Sequence, residues 1–323
     1  MNTATKLSGF ALGLAAVFGA AYGAGQLTDP VTPAAETRHD PTDSGGGHDS
    51  GGHDSGGATT DNHLPGGLLV SDRGYTMQPV SAPAGEFAFR IAGPDGRPVT
   101  RYDVAHDKRM HLIVARRDLS GFRHVHPELA GDGTWRVASP LAGPGVWRAF
   151  ADFTPTGAEP LTLGVDVTVA GALAPRPLPA PATTATVDGY TVTLSGTPQP
   201  GRTSELTVRV SRDGQPVTDL QPYLGAYGHL VALRQGDLAY LHVHPHGEPG
   251  DGRTPAGPEV TFSAEVPSAG TYRLYLDFRH GDAVHTAEFT VVAGDPGTPA
   301  TDAPPAPAPT PEAGHGSPGH GHN

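Results

Sequence analysis

The sequence predicts an all-β protein of two tandem immunoglobulin-like β-sandwich domains flanked by disordered His-rich tails. Short apolar stretches with a period of two residues alternate with turn residues throughout 66–294, as in sheets with one buried face. No long stretch of this region has the 3.6-residue period of a helix. The same order of segments occurs twice, and 323 residues are enough for two domains with their own cores.

The first segment, residues 1–23, is predicted to be a signal peptide. Lys6 precedes a run of small and apolar residues, and the tripeptide Ala21-Tyr22-Gly23 suits cleavage by a signal peptidase. We therefore expect an extracytoplasmic protein that is secreted or held in the cell envelope. Contact with the membrane is expected only if this segment stays uncleaved and acts as a marginal anchor.

Composition indicates the boundaries of the linkers, the two domains and the C-terminal tail. Residues 24–65 are rich in Gly, Ser, Asp and His and are predicted to form a disordered linker. Domain 1 is expected at 66–172 and domain 2 at 185–294, with a Pro-rich linker at 173–184 between them. Residues 295–323 are predicted to be a disordered tail rich in Pro and His. The His-rich tracts of both tails would capture metal ions weakly or serve as solvated spacers.

Matching segments predict matching strands in the two domains. Residues 86–91 and 205–210 alternate apolar and polar side chains and lead into Asp-Gly turns. Residues 145–153 and 270–278 each begin with Gly-x-aromatic, which is typical of the tyrosine-corner strand of immunoglobulin-like domains. The closing strands are Val-rich and are expected at 165–169 and 288–292.

A histidine pattern occurs in both domains with the same spacing. His111 is followed by a His-x-His sequence at His124 and His126, and the second copy keeps both intervals. The residues on either side of the turn at 117–121 are predicted to form a hairpin. Side chains alternate along a strand, so His124 and His126 share one face, and pairing places His111 on that face opposite one of them.

Three imidazoles on one face of a hairpin can reach a single metal ion. Cross-strand neighbours have Cβ atoms about 4.5–5.5 Å apart, and histidine nitrogen binds a metal at about 2.0–2.1 Å. The alternative is a group of polar residues on a solvated sheet face. Identical spacing in two otherwise diverged segments favours metal ligands. The predicted ligands are His111, His124 and His126 in domain 1 and His229, His242 and His244 in domain 2.

We expect one ion per hairpin. Because a Pro-rich linker separates the predicted domains, removal of one site is expected to leave the other intact. Free histidines have a pKa near 6.5, so binding is expected to weaken steeply below about pH 6.

Composition limits the chemistry of these sites. The chain has no cysteine, which excludes disulfides, blue-copper centres and iron–sulfur clusters. The net charge of -12 leaves no basic stripe for nucleic acid. Only Met77 and Met110 follow the predicted cleavage site, and Met110 has the wrong strand parity to join His111. Three imidazoles suit Cu(II), Zn(II) or Ni(II), and Cu(II) is favoured by its higher affinity.

Four further histidines are expected to lie at the surface. His106 precedes His111 and His246 follows the second motif, and both are interpreted as loop residues rather than fourth ligands. His280 and His285 flank a predicted turn and are expected to face solvent.

Two charged residues recur together in the repeat. Asp152 and Asp277 occupy matching positions, as do Arg116 and Arg234. We favour a structural ion pair between aspartate and arginine inside each domain. The alternative is that the carboxylate orients the N–H group of a ligand histidine.

The hairpin of domain 1 resembles a known signature. The residues are His111-Leu112-Ile113-Val114, Asp118-Leu119, Phe122 and His124-Val125-His126-Pro127. They resemble exported actinobacterial-type proteins related to the YtkA-like and CopC-like copper-handling β-sandwiches. The resemblance implies a secreted protein that handles metal, with copper as the expected metal, and it is strongest at the two hairpins. Domain 2 departs from it by having Tyr240 in place of Phe122.

We therefore expect a metal-binding protein that buffers or delivers copper in the cell envelope. Its expected partners are metal ions and an envelope metal transporter or cuproenzyme. We do not expect the protein to be an enzyme, and the sequence predicts no catalytic residue. One alternative is a hydrolytic enzyme that uses zinc bound by three histidines, since a fourth position could hold a nucleophilic water. The other is a structural or adhesive surface module without metal.

Overall fold

A computed structural model describes residues 64–241 and 243–294, and these form two β-sandwiches. This part of the chain contains strands and turns and no helix. It consequently includes no helix long and apolar enough to span a membrane. The predicted signal peptide, nearly all of the predicted N-terminal linker and the predicted C-terminal tail lie outside the described residues.

The first sandwich contains nine strands in two antiparallel sheets. One sheet has the order β1-β2-β3-β7-β6 and the other has the order β5-β4-β8-β9. The strands are β1 (Ser71–Asp72), β2 (Tyr75–Val80), β3 (Glu86–Ala92), β4 (His111–Arg116), β5 (Arg123–Val125), β6 (Glu128–Leu129), β7 (Thr134–Ala138), β8 (Gly145–Phe153) and β9 (Leu161–Val169).

The second sandwich repeats this arrangement. Its sheets have the orders β10-β11-β12-β17-β16, with β13 added to β12, and β15-β14-β18-β19. The strands are β10 (Thr184–Val187), β11 (Tyr190–Ser195), β12 (Thr203–Arg212), β13 (Gln215–Pro216), β14 (His229–Arg234), β15 (Tyr240–Leu241), β16 (Val243–Pro245), β17 (Glu259–Glu265), β18 (Gly270–His280) and β19 (Ala283–Ala293).

A local hydrogen bond in each sandwich supports the immunoglobulin-like prediction. Tyr272 donates its hydroxyl to the carbonyl of Ser268 at 2.8 Å. In the first sandwich Trp147 donates its indole N–H to the carbonyl of Gly143 at 3.1 Å. Both bonds run four residues back from the start of a long strand, as in a tyrosine corner. The predicted fold class, all-β with two tandem immunoglobulin-like sandwiches, is confirmed.

Each sandwich has its own core, and strand β4 shows how it is built. Leu112 and Val114 point into the first core together with Trp147. Met110 has the parity of these two residues, opposite to that of His111 as predicted, and is likewise buried in this core. The alternate residues Ile113 and Ala115 point to the opposite face and are also fully buried. A strand buried on both faces requires a second packing partner on the outer face.

That partner is the second sandwich. A third apolar cluster combines side chains from two sheets, the one that contains β4 and the one that contains β14. Phe122 stacks on Tyr275 with ring centres 4.0 Å apart, and Phe150 packs against Tyr240 at 5.6 Å. Each contact joins one sandwich to the other. In the repeat Phe122 corresponds to Tyr240 and Phe150 corresponds to Tyr275, so the two contacts are equivalent by symmetry. The sandwiches therefore pack through their histidine-bearing sheets.

One buried hydrogen bond at this interface provides a test of its contribution to stability. Tyr275 donates its hydroxyl to the carbonyl of Leu119 at 2.6 Å. Tyr275→Phe is expected to lower the free energy of unfolding by about 1–3 kcal/mol, because the buried carbonyl loses its partner. Urea denaturation would measure this. Tyr75→Phe is the control, since the Tyr75 ring packs on Phe153 within the first sandwich. Equal effects of the two changes would contradict a role at the interface.

Candidate metal centre

The hairpin of strands β4 and β5 positions the first histidine cluster. Leu112 pairs with Val125 and Ile113 pairs with His124. Extension of this register places His111 opposite His126. All three histidines therefore belong to the face of Ile113, which is the face that packs against the second sandwich. The predicted hairpin and the shared face of these histidines are both present.

The geometry of this cluster fits a single metal ion. One ligand nitrogen from each of His111, His124 and His126 lies within 4.8 Å of the others. The ring centres are 5.3 Å apart for His111 and His124, 5.0 Å for His111 and His126, and 4.9 Å for His124 and His126. Two imidazoles bound to one ion at about 2.0–2.1 Å would have ring centres about 5 Å apart.

Hydrogen bonds on the outer side of two rings assign their tautomers. His111 donates Nε2–H to the carbonyl of Ala105 at 3.0 Å. His124 donates Nδ1–H to a carboxylate oxygen of Asp277 at 3.0 Å. The remaining nitrogens, His111 Nδ1 and His124 Nε2, then carry lone pairs and face each other at 3.1 Å. Two lone pairs at this distance repel each other unless a proton or a metal ion lies between them.

His126 presents the third nitrogen. Its Nε2 atom is buried and has no hydrogen-bond partner among the described residues. A buried polar atom without a partner is costly, and a metal ion would relieve that cost. The chemistry of the donor set and the buried unpaired nitrogen therefore both fit a three-histidine metal site.

Asp277 reaches this cluster from the second sandwich. It lies on β18, where it pairs with His229, and its other oxygen accepts the hydroxyl of Thr286 at 2.6 Å. The side chains of His124 and Asp277 are 5% and 6% exposed. The second sandwich therefore contributes a hydrogen-bond partner to the cluster of the first, which the sequence did not predict. The expectation that removal of one site leaves the other intact stays a prediction.

The predicted ion pairs are also wrong. Arg116 donates to the carbonyl of Ala142, and Arg234 pairs with Asp237. The register of β4 and β8 explains the first case, because Arg116 and Asp152 lie at opposite ends of the paired strands. The alternative interpretation, a carboxylate that orients a histidine N–H, is correct for Asp277. Sequence reasoning could not assign it to a histidine of the other sandwich.

The second copy of the motif begins in the same way as the first. His229 is buried and donates Nε2–H to the carbonyl of Tyr223 at 2.9 Å, the same six-residue offset as between His111 and Ala105. Its ring centre is 6.4 Å from that of His124. His242 lies outside the described residues, and only the backbone of His244 is described, in β16. The second three-histidine site stays a prediction.

The remaining histidines separate into two groups. His106 and His246 are exposed loop residues as expected, although the His106 ring lies 5.5 Å from that of His229. The expectation of solvent-facing His280 and His285 is wrong, since their side chains are 17% and 10% exposed. His280 bonds to the Tyr190 hydroxyl at 2.7 Å, and the ring of Tyr190 packs on that of His285. Packing of β11 over the β18–β19 turn causes this burial.

Burial keeps His111 and His126 neutral. Desolvation, together with repulsion from any positive charge on neighbouring histidines, lowers the pKa of His111 to about 4 and that of His126 to about 3. Desolvation likewise lowers the pKa of His229 to about 4. Neutral imidazole is the form that binds metal. Protons therefore compete for His111 and His126 at a lower pH than the value near 6 expected from free histidine.

These pKa values predict an acid-sensitive apo protein. Unfolded histidines take up protons near pH 6.5, whereas His111 and His126 of the folded protein do so near pH 3–4. The free energy of unfolding is thus not reduced by these histidines above about pH 6.5, and it decreases as the pH falls toward 4. Urea denaturation with chelator at pH 7.5 and 5.0 would measure the loss. His126→Gln removes one of these groups and should reduce the pH dependence. An unchanged dependence would contradict this origin.

Comparison with solved structures gives a weak match. A chimeric titin Z1Z2-Z1Z2 tandem, functionalized with a GRGDS peptide from fibronectin, is 14% identical. The match covers 65% of this chain and 90% of that chain, with a TM-score of 0.17, which is too low to support a structural conclusion. No curated protein matches the sequence.

A family profile matches the chain twice. The matched residues are 74–171 and 185–295, one segment for each sandwich and together about two thirds of the chain. The two matches agree with the repeat of strands and of the histidine motif. The chain therefore belongs to the family described as a domain of unknown function, DUF8832, and contains two copies of that domain.

Proposed function

We propose that this protein is exported and binds Cu(II) through His111, His124 and His126, to buffer or deliver copper in the cell envelope. The observation that carries the proposal is the pair of lone-pair nitrogens, His111 Nδ1 and His124 Nε2, held 3.1 Å apart by outer hydrogen bonds. A metal ion between these atoms replaces repulsion by two coordinate bonds. The buried nitrogen of His126 supplies a third.

The donor set supports copper over other divalent metals. Imidazole nitrogen is a ligand for Cu(II), Zn(II) and Ni(II), and the affinity order of divalent ions favours Cu(II). Neutral histidines supply no charge, but the buried carboxylate of Asp277 contributes a negative charge through His124. Export rests on the predicted signal peptide, and delivery would require an envelope transporter or a cuproenzyme as recipient.

A binding role is preferred to catalysis because of the way the nearby carboxylates are engaged. Asp277 bonds to His124 and Thr286, so both of its oxygens already accept hydrogen bonds. Asp152 accepts hydroxyls from Thr162 and Tyr240 at 3.1 and 3.4 Å. These bonds favour a positioning role for both carboxylates, although each oxygen keeps a second lone pair. Zinc-dependent ester hydrolysis that depends on the three histidines would instead favour the enzyme alternative.

Removal of the cluster provides the direct test of binding. The full chain and a His111→Ala/His124→Ala/His126→Ala variant would be compared by equilibrium dialysis against Cu(II), because the His-rich tails contribute equally to both. The variant is expected to lose one tightly held ion. His246→Ala is the matched control, since this exposed histidine bonds to Ser263 outside the cluster. Equal tight binding by the wild type and the triple variant would overturn the proposal.

Metal is expected to stabilise a protein that is already folded. The three apolar cores form without the cluster histidines, so the protein with chelator should give a folded circular dichroism spectrum. Binding to the native state at a hundredfold excess over Kd adds about 2.7 kcal/mol. For a packed unit of this size the melting temperature would rise by roughly 5–10 °C. A disordered spectrum without metal would make the ion structural rather than exchangeable cargo.

A further inference from the structure

We propose that the second sandwich is an essential part of the metal site in the first, with Asp277 as its positioning residue, so that metal binding and packing of the two sandwiches strengthen each other. This inference rests on the proposed function and deepens it. It follows from one buried contact between the sandwiches and from the chemistry of histidine tautomers.

The contact is well defined on both sides. His124 Nδ1 and Asp277 Oδ2 are 3.0 Å apart, and both side chains are almost fully buried. The second carboxylate oxygen is held by the hydroxyl of Thr286 at 2.6 Å, within the second sandwich. The carboxylate is thus fixed by its own sandwich and accepts a charge-assisted hydrogen bond from the other.

The hydrogen bond decides which nitrogen of His124 can bind metal. An imidazole that carries its proton on Nδ1 must have its lone pair on Nε2. That atom faces His111 Nδ1 at 3.1 Å, where the ion would lie. Without the carboxylate, the proton could occupy Nε2 and block coordination. Loss of a partner of this kind typically costs 10–100-fold in metal affinity.

The aromatic interface sets the approach of Asp277 to His124. Phe122 lies two residues before His124, and Tyr275 lies two residues before Asp277. The rings of Phe122 and Tyr275 stack at 4.0 Å with an angle of 7°. Phe122 and His124 lie on the same face of their segment, because side chains two residues apart in an extended chain point the same way. Tyr275 and Asp277 are related in the same way, so the two pairs meet side by side. A shift of one sandwich against the other would break both contacts together.

Thermodynamic reciprocity then links the metal to the interface. If correct packing of the sandwiches raises metal affinity, bound metal must stabilise that packing by the same factor. The effect should extend to β14 and β18 of the second sandwich, which contribute none of the three ligands at this site. Bound metal would therefore stabilise the strands of both sandwiches that meet at the interface.

Asp277→Asn in the full chain tests the positioning role, with Cu(II) alone as the probe. Affinity at the site defined by the triple-histidine variant should fall 10–100-fold. Nitrogen NMR of the His124 ring in the zinc-free, copper-free protein should show the proton leaving Nδ1 for Nε2. The matched control is Asp219→Asn, because Asp219 bonds to His280, which lies outside the cluster at the C-terminal end of β18. Unchanged affinity and an unchanged tautomer in the Asp277 variant would overturn the inference.

Hydrogen exchange tests the link to packing. Addition of one equivalent of Cu(II) should slow amide exchange in β14 and β18 as well as in β4 and β5. The slowing in β14 and β18 should disappear in Asp277→Asn. Slowing confined to the first sandwich would overturn the link.

Two further comparisons keep the outcomes distinct. If Asp277→Asn fails to fold, Thr286→Val keeps the carboxylate, removes its support and should lower affinity by a smaller factor. Wild-type protein that binds no copper at the cluster would refute the proposed function. Wild-type binding with full affinity in both the Asp277 and Thr286 variants would refute only the role of the second sandwich.

Discussion

Burial of strand β4 on both faces is the constraint on which the rest of the structure depends. Leu112 and Val114 fill the core of the first sandwich, and Ile113 and Ala115 fill the interface with the second. The outer sheet face is therefore apolar, in contrast to the solvated outer face of an ordinary sandwich sheet. Two such sheets, one from each repeat, bury these faces against each other. Tandem sandwiches become one packed unit as a result.

This packing determines the environment of the histidines. His111 has the same strand parity as Ile113, so it lies on the interface face and is removed from water. Desolvation lowers the pKa of His111 and His126 far below that of free histidine. Both side chains are thus held in the neutral form, which is the form that binds metal.

The same packing supplies the negative charge that the cluster lacks. Three neutral imidazoles would leave a bound divalent ion uncompensated in a region of low dielectric constant. Asp277 places a carboxylate one ring away from the position that a bound ion would take, and the repeat has the matching aspartate Asp152 in the first sandwich. The two packed sheets therefore bury the histidines, fix the tautomer of His124 and supply a negative charge through Asp277.

The sequence by itself determined the strands, the duplication, the hairpin and the grouping of His111, His124 and His126, because these depend on local periodicity and strand parity. It did not determine that His124 would bond to Asp277, a residue 153 positions away. It also placed His280 and His285 in solvent, whereas packing of Tyr190 buries them. Parity fixes which face of a strand a side chain occupies. Only tertiary packing decides what covers that face, because the covering surface is distant in sequence.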